Sequence, residues 1–276
     1  MATIAENIQT LRSIKSDIKN AIIQKGGSVT DAFGTYAKAI TNLPSGGGNE
    51  DLINLIERDV TTFDIPDGTT KIGDYAFGKC TSLTNVTIGN GVTQIGNYAF
   101  YSCKALTNVT IGNGVTRIGD NVFYFCEALT DVTIPDSVTQ IGYSAFSNCK
   151  ALTNVTIPDS VTRIDSNFFQ ECKSLTNVTI GNGVTGIGNY VFAGCSKLPS
   201  VTLPSTIKHI GSGIFNDCSS LTSVTIKATT PPTLSSNLFS DTNNCTIYVP
   251  AESVNAYKTA TNWSAYADRI QAIPTV

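Results

Sequence analysis

The sequence predicts an α/β solenoid in which 23-residue coils stack on one another, with short parallel strands joined by turns. Three observations support this fold class. Nearly identical segments begin at regular intervals, apolar residues recur at fixed places in each segment, and a turn-forming triplet separates two short extended stretches. One such unit cannot bury its apolar side alone, so stacking is needed to create a continuous core.

Each coil is expected to begin with a strand. The segment LTNVTIGNGVTQIGNYAFYSCKA starts at Leu83, and its Leu-x-x-Val-x-Ile beginning alternates between inward and outward positions, which is strand periodicity. Eight stacked parallel strands are therefore predicted. Equivalent segments start at Leu106, Leu129, Leu152, Leu175, Leu198 and Leu221, and a degenerate one starts at Val60.

The remainder of each coil is expected to hold a tight turn, a second extended stretch and one helical or 3₁₀ turn. Gly-Asn-Gly or Pro-Asp-Ser forms the tight turn, and Val-Thr-x-Ile-Gly forms the extended stretch. Residues 97–103 (NYAFYSC) are predicted to form the helical or 3₁₀ turn. It would bury one phenylalanine per coil in a packing column, and local repacking is expected near Phe168. The column consists of Phe77, Phe100, Phe123, Phe146, Phe169, Phe192 and Phe215.

Both ends of the chain differ from the repeats at 52–245. Residues 1–43 carry an apolar stripe at helical spacing, and residues 44–51 form a Gly-rich linker. The stripe is open to two interpretations: self-association or docking on another protein, and folding back as an N-terminal cap. Residues 246–276 are predicted to be the C-terminal cap, because solenoid ends need covering.

That C-terminal end should contain a strand, TIYVP, followed by an amphipathic helical segment. Val254, Tyr257 and Trp263 are available there to cover the open end. Just before it, Pro231 and Pro232 disturb the last coil, since the apolar positions that follow them come one residue late.

Composition and charge exclude several classes of function. The net charge of −3 and the pI near 5.1 give no basic face for nucleic acid. No apolar run reaches the roughly 18 residues that span a membrane. The beginning, MATIAENIQTLRSIKSDIKN, lacks the continuous apolar core of a secretory signal, so export by that route is not expected.

Cysteine and histidine are the residues most able to carry chemistry. Seven cysteines recur at the repeat period beside phenylalanine, and Cys245 completes eight. They are expected to be buried free thiols, although the even count and the strand spacing also permit disulfides. Neither a CxxC pair nor a Cys/His cluster exists, so no metal and no cofactor is expected. His209 lies in a solvated column without a converging nucleophile or acid, so no enzyme is predicted. Turn chemistry rather than calcium explains Asp67, Asp136 and Asp159.

The outward columns of the principal sheet are the first candidate binding surface. They are polar and almost uncharged, and the alternative is that they only stabilise the sheet through cross-strand contacts. The candidate residues are Asn85, Thr87, Asn108, Thr110, Asp131, Thr133, Asn154, Thr156, Asn177 and Thr179, and both columns continue through Ser200, Thr202, Ser223 and Thr225.

A patch of aromatic residues is the rival binding surface, because Tyr side chains often dominate protein interfaces. These residues lie beside inward Phe and Cys positions, so some of them must be exposed. They are Tyr75, Tyr98, Tyr101, Tyr124 and Tyr190, accompanied by Phe125 and Tyr143.

The unit L-T-N-V-T-I-P-D-S-V-T-x-I-G-x-x-A-F-x-x-C-x-A resembles the BspA-type leucine-rich-repeat family of bacterial surface proteins over about residues 60–245, and IYVPAESVNAYK at 247–258 is similar to that family's C-terminal cap. The resemblance implies a leucine-rich-repeat solenoid with a concave principal sheet. It also implies an adhesin or receptor-binding protein at a cell surface, contacting a protein or glycan on a host or bacterium.

Residues 14–43 are similar to N-terminal segments of phage and prophage tail proteins. That resemblance implies a receptor-binding tip joined to a phage particle through residues 1–48. The alternatives are a structural spacer that forms a homo-oligomer through residues 1–43, and ice binding by the regular Thr columns.

Overall fold

The computed structural model describes residues 61–65, 69–240, 242 and 244–275. Over these residues the chain forms the predicted stack of parallel coils. The expected N-terminal helices (1–43), the linker (44–51), Val60 and Asp67 lie outside the described residues.

Each full coil contributes one longer and one shorter strand. The longer strands are β1 (Thr62–Asp64), β3 (Asn85–Ile88), β5 (Asn108–Ile111), β7 (Asp131–Thr133), β9 (Asn154–Ile157), β11 (Asn177–Ile180), β13 (Ser200–Leu203), β15 (Ser223–Ile226), β17 (Thr246–Val249) and β18 (Ile270–Ala272). The shorter strands are β2 (Lys71–Ile72), β4 (Gln94–Ile95), β6 (Arg117–Ile118), β8 (Gln140–Ile141), β10 (Arg163–Ile164), β12 (Gly186–Ile187), β14 (His209–Ile210) and β16 (Thr233–Leu234).

The longer strands build the principal sheet in the register that the repeat predicts. Asn85 pairs with Asn108 and Val86 pairs with Val109, so equivalent residues of successive coils are neighbours. The Val and Ile positions are buried, and the alternate Asn and Thr positions face outward. β17 is the predicted TIYVP strand, whereas β18, which extends the sheet beyond it, was not predicted.

Hydrogen bonding in the principal sheet is divided between β11 and β13. In earlier coils a threonine before the strand donates twice to the coil before it: the N–H and Oγ1 of Thr176 lie 2.9 and 3.1 Å from the Thr153 carbonyl oxygen. Pro199 occupies this position in the next coil and has neither an N–H nor a hydroxyl. The sequence therefore accounts for the division, because proline at position 199 removes both of these hydrogen bonds.

The prediction of a helical or 3₁₀ turn at 97–103 is wrong, because this segment forms consecutive tight turns. Tyr98 and Ser102 have φ of 56° and 58°, and left-handed residues at this spacing interrupt a right-handed helix. Alternate N–H groups donate to the next coil instead, as Phe100 does to the Val122 carbonyl at 2.9 Å. Apolar spacing alone cannot separate these two structures, since both bury the same side chains.

The predicted phenylalanine column is the centre of the core. Phe100 and Phe123 are fully buried with ring centroids 5.5 Å apart, and the column continues to Phe239, whose coil is one residue longer. Phe168 packs edge-on against Phe169 at 4.7 Å, which is the expected local repacking.

The C-terminal segment packs against the last coil. Helix α1 (Val254–Thr259) lies between two 3₁₀ segments, Ala251–Ser253 and Ser264–Arg269. Tyr257 and Trp263 are fully buried against each other, and each polar tip donates to a carbonyl oxygen of the preceding coil at 2.8 Å. No helix among the described residues is both long and apolar enough to cross a bilayer.

Candidate functional site

The Asn and Thr columns of the principal sheet lie where the sequence analysis placed them. Asn108, Asn154 and Asn177 are exposed, Asn85 is half-buried, and the Thr side chains between them are exposed along the same face. The sheet register brings these residues together as two parallel rows.

Hydrogen bonds inside the sheet already occupy part of this surface. Asn108 Nδ2 donates to Asn85 Oδ1 at 2.9 Å, and Asn154 Nδ2 donates to Thr153 Oγ1 at 2.9 Å. Such bonds stabilise the sheet and hold the amides in place. The face therefore offers a polar surface without an aromatic side chain among the candidate residues.

Four of the five predicted tyrosines form a continuous row of rings. Tyr75 stacks on Tyr98 at 4.7 Å with an interplanar angle of 2°, Tyr98 meets Tyr101 edge-on at 5.9 Å, and Tyr101 stacks on Tyr124 at 5.9 Å. Phe125 extends the row from Tyr124 at 4.4 Å. These five residues are called the tyrosine ribbon below.

Tyr143 contacts the tyrosine ribbon at Tyr98. A side-chain hydrogen bond with Tyr143 is the main cause that raises the pKa of Tyr98 above its ordinary value, and desolvation adds to it. Tyr143 is 45% exposed and Tyr75 is 58% exposed, so the rings present apolar area to solvent. Tyr190 is also exposed, but it lies several coils away from the tyrosine ribbon. Its ring occupies the space that a Cβ would need at Gly213.

The backbone beneath these tyrosines adopts a conformation that tyrosine disfavours. Tyr75, Tyr98 and Tyr190 have φ between 56° and 58°, in the left-handed region, where Asn and Gly are the preferred residues. Other coils use those preferred residues at the equivalent position, as Asn121 and Gly213 show. The backbone alone therefore does not account for tyrosine here, and the sequence analysis had no signal for this strain.

The cysteines form the expected buried ladder of free thiols. Cys126 Sγ donates to the Phe100 carbonyl oxygen at 3.1 Å, and the same contact repeats in the following coils. Burial raises the pKa of Cys126 and Cys149 well above the ordinary value, and that of Cys218 to about 12. Thiols in this state are poor nucleophiles, because the thiolate is the reactive form.

The remaining polar candidates do not converge on one another. His209 is exposed, and its Nδ1 lies 2.7 Å from Thr233 Oγ1. Within the described ranges, no group of three or more His, Cys, Asp or Glu side chains could hold a metal ion.

A sequence profile described as the BspA type leucine rich repeat region matches residues 56–175 and 162–261, in six copies. A leucine-rich-repeat protein of T. pallidum is 31% identical with a TM-score of 0.56, and the match covers 58% of this chain and 78% of that one. A leucine rich cell surface protein of Faecalibacterium prausnitzii A2-165 is 36% identical with a TM-score of 0.58, covering 63% of this chain and 49% of that one. This chain thus spans about half the length of the second protein. No curated protein matches the chain.

The profile match begins at residue 56, so the similarity of residues 14–43 to phage tail segments gains no support from it.

Proposed function

The chain belongs to the BspA-type leucine-rich-repeat family, and from this membership we propose that it is a non-enzymatic recognition protein whose tyrosine ribbon docks on a protein at a host or bacterial surface. One observation carries the proposal: the exposed ring of Tyr75 stacks on the half-buried ring of Tyr98, and both residues have a backbone conformation that tyrosine disfavours. Strain of this kind clusters at functional sites.

The ribbon has the chemistry of an interface hot spot. Tyrosine presents a large apolar area and a polar tip while losing little side-chain entropy, since it has few rotatable bonds. Stacking between Tyr75 and Tyr98 fixes both rings before any partner arrives. Such preorganisation lowers the cost of binding.

The Asn and Thr face is the second candidate surface, because the hydroxyls of its Thr column have no hydrogen bond to another described residue. Thr110 and Thr156 are exposed and free to bond a partner. The candidate residues of this surface include no aromatic anchor, so their contribution would come from many weak polar contacts.

An adhesin or receptor-binding role is the most specific form of this proposal. The similar Faecalibacterium protein is described as a leucine rich cell surface protein, which supports a surface location. Repeats that stack into a long regular surface suit a large partner better than a small substrate.

Two double variants separate the surfaces. Tyr75→Asn with Tyr98→Asn removes two rings but keeps a residue type that Asn121 and Asn167 show to be compatible with this backbone. Thr110→Lys with Thr156→Lys places bulky charges on the other face. Both variants and the wild-type chain are assayed by surface plasmon resonance against purified host matrix and surface proteins.

The expected result is a partner whose affinity falls about tenfold or more in the tyrosine variant and is unchanged in the threonine variant. The opposite pattern would move the site to the Asn and Thr face. Equal binding by all three proteins would contradict both assignments.

A further inference from the structure

The shorter strands form a second sheet, and a glycine follows six of them, at positions 73, 96, 119, 142, 188 and 211. Asp165 stands at the equivalent place after β10, and Ser235 stands there after β16. At Gly142 an added Cβ would lie 2.6 Å from the N and 2.7 Å from the Cα of Asp120 in the preceding coil, so two bonded 23-residue coils leave no room for it. Ser235 keeps its N–H bond to the Ile210 carbonyl at 3.0 Å, but in a coil that is one residue longer.

The hydrogen bonds between β8 and β10 are missing, although the same two coils stay bonded through β7 and β9 and through Ser144 N–H to the Ser166 carbonyl at 3.0 Å. Gly142 N–H donates to the Ile118 carbonyl at 3.0 Å and Gly188 N–H to the Ile164 carbonyl at 2.8 Å. The N–H of Asp165 makes no hydrogen bond with any described residue, and the second sheet is divided between β8 and β10.

Two further donors lose their partners at the same junction. In other coils a threonine N–H donates to the threonine before it, but Thr162 has no such bond within the described part of the chain. The N–H after the glycine position also normally finds a side-chain acceptor, as Tyr143 N–H finds Asp120 Oδ1 at 3.1 Å. Tyr143 itself offers no acceptor there, so the N–H of Ser166 is left without one.

A cleft of about 310 Å³ lies across the coils of β6, β8 and β10. The charged and amide residues of its lining are Arg117, Asp120, Gln140, Arg163 and Asp165. Arg163 Nε donates to Asp165 Oδ1 at 2.7 Å, while Arg117 forms no ion pair with a described residue. Two cations and two anions make the cleft polar but neutral in sum.

These features define what the cleft can hold. The N–H groups of Thr162 and Asp165 and the carbonyl oxygens of Thr139 and Ile141 have no partner across β8 and β10 among the described residues, and all four residues line the cleft, so a ligand there can both donate and accept hydrogen bonds. β8 and β10 approach within 8 Å at Cα, less than the about 9.6 Å, two strand spacings, that an inserted strand or sugar ring needs, so the ligand must lie over the junction and not between the strands. The paired carboxylates weigh against an anion.

We infer that the cleft over β6, β8 and β10 is a binding site for an uncharged saccharide unit. Each sugar hydroxyl is both a donor and an acceptor, and the cleft is at the lower end of the size range of small-molecule sites. The exposed ring of Tyr143 follows the cleft residue Gly142 along the chain. This inference does not require the tyrosine ribbon to have a protein partner.

Titration of the isotope-labelled full chain with uncharged methyl glycosides of glucose, galactose, mannose and N-acetylglucosamine tests this site by amide chemical shifts. At least one sugar should give saturable shifts at Gln140, Thr162 and Asp165, with a dissociation constant on the order of millimolar, which is typical of a small neutral ligand. Sodium phosphate is titrated separately as the anion probe.

Asp165→Gly should restore the close approach of the coils and weaken sugar binding about tenfold or more. Slower hydrogen exchange of the residue 165 amide in this variant reports that the cleft has closed. Asp136→Gly, the same exchange at an exposed turn, is the matched control and should bind as the wild type does. Arg117→Ala leaves the cleft open and should weaken binding on its own.

Three results would overturn the site. They are the absence of saturable shifts with every sugar up to about 50 mM, undiminished binding by a closed Asp165→Gly variant, and phosphate shifting the cleft amides where the sugars do not.

Discussion

Alanine at Gly119 tests whether the spacing between coils depends on a missing side chain. Neither this glycine nor the equivalent Gly73 has a positive φ, so conformational freedom is not the reason for glycine at either place. A Cβ at Gly119 would lie 2.6 Å from the Oδ1 and 2.8 Å from the N of Asn97. A Cβ at Gly73 meets nothing within 4 Å. The two positions are equivalent in the repeat, but only at Gly119 do atoms of the preceding coil lie close to the added Cβ.

The expected cost follows from the bonds that must lengthen. Unstrained contacts of carbon need about 3.5 Å, so the coils must separate by about 0.7 Å at Gly119. Three hydrogen bonds are weakened at about 1 kcal/mol each, and alanine's smaller unfolded-state entropy offsets about 0.4–1 kcal/mol. The net destabilisation is about 2 kcal/mol. The bonds are Gly119 N to Ile95 O, Thr116 N to Thr93 O and Asp120 N to Asn97 Oδ1, all 2.9 Å.

Gly73→Ala should instead leave stability unchanged or raise it by about 0.4–1 kcal/mol, since only the entropy effect remains. Urea unfolding followed by circular dichroism measures both variants. Because a solenoid can lose two-state behaviour when one junction weakens, amide exchange at residues 116 and 119 locates the effect. Equal free energies of unfolding for the two variants would refute the reasoning.

Four further outcomes are expected. The eight thiols should resist a thiol reagent near pH 8 in the folded chain and all react in urea, and reaction of the native protein at the unfolded rate would contradict their burial. Burial raises the pKa of the folded thiols above the unfolded value of about 8.5. Their contribution to stability is therefore full below about pH 8.5 and is lost as the pH rises above it, because the unfolded chain then releases thiol protons that the folded chain keeps. The urea concentration at the midpoint of unfolding should accordingly fall between about pH 8 and 10. Trp263→Ala should cost about 3–5 kcal/mol, because it empties the cap and leaves the Pro232 carbonyl without its donor, and a loss below about 1 kcal/mol would show that the cap does not support the last coil. Tyr98→Asn alone should change stability by less than about 1 kcal/mol, since relief of the left-handed backbone balances the lost ring stacking.

The sequence was sufficient for every feature that follows from the repeat period. Strand register, the phenylalanine column and the buried thiols all depend on equivalent residues meeting one another, and a fixed 23-residue spacing guarantees that. The delayed pairing of Leu234 with Ile210 could be predicted for the same reason, since the extra residue is visible in the sequence.

Features that depend on close distances between backbones were not predictable in this way. The tight turns at 97–103 bury the same residues as a helical turn would, so only backbone geometry separates the two. The repeat does predict that Tyr75 meets Tyr98 and that Tyr101 meets Tyr124, but the contact of Tyr98 with Tyr101 was hidden, because it joins two different columns. Tyr190 shares a column with Tyr98 but lies too many coils away.

The departures from the repeat are informative because stacking itself favours the repeated residue at each position. Asp165 breaks the glycine column, Tyr143 breaks a column of side-chain acceptors, and Pro199 breaks a threonine column. Each change removes hydrogen bonds that the neighbouring coils make, so none of them is explained by stability of the fold. Two of the three fall at a single junction, between β8 and β10, where independent losses would be expected to scatter along the chain. Their coincidence, together with the polar cleft that lies over them, is the reason for assigning that junction a ligand, whereas Pro199 changes a single column and interrupts the principal sheet locally.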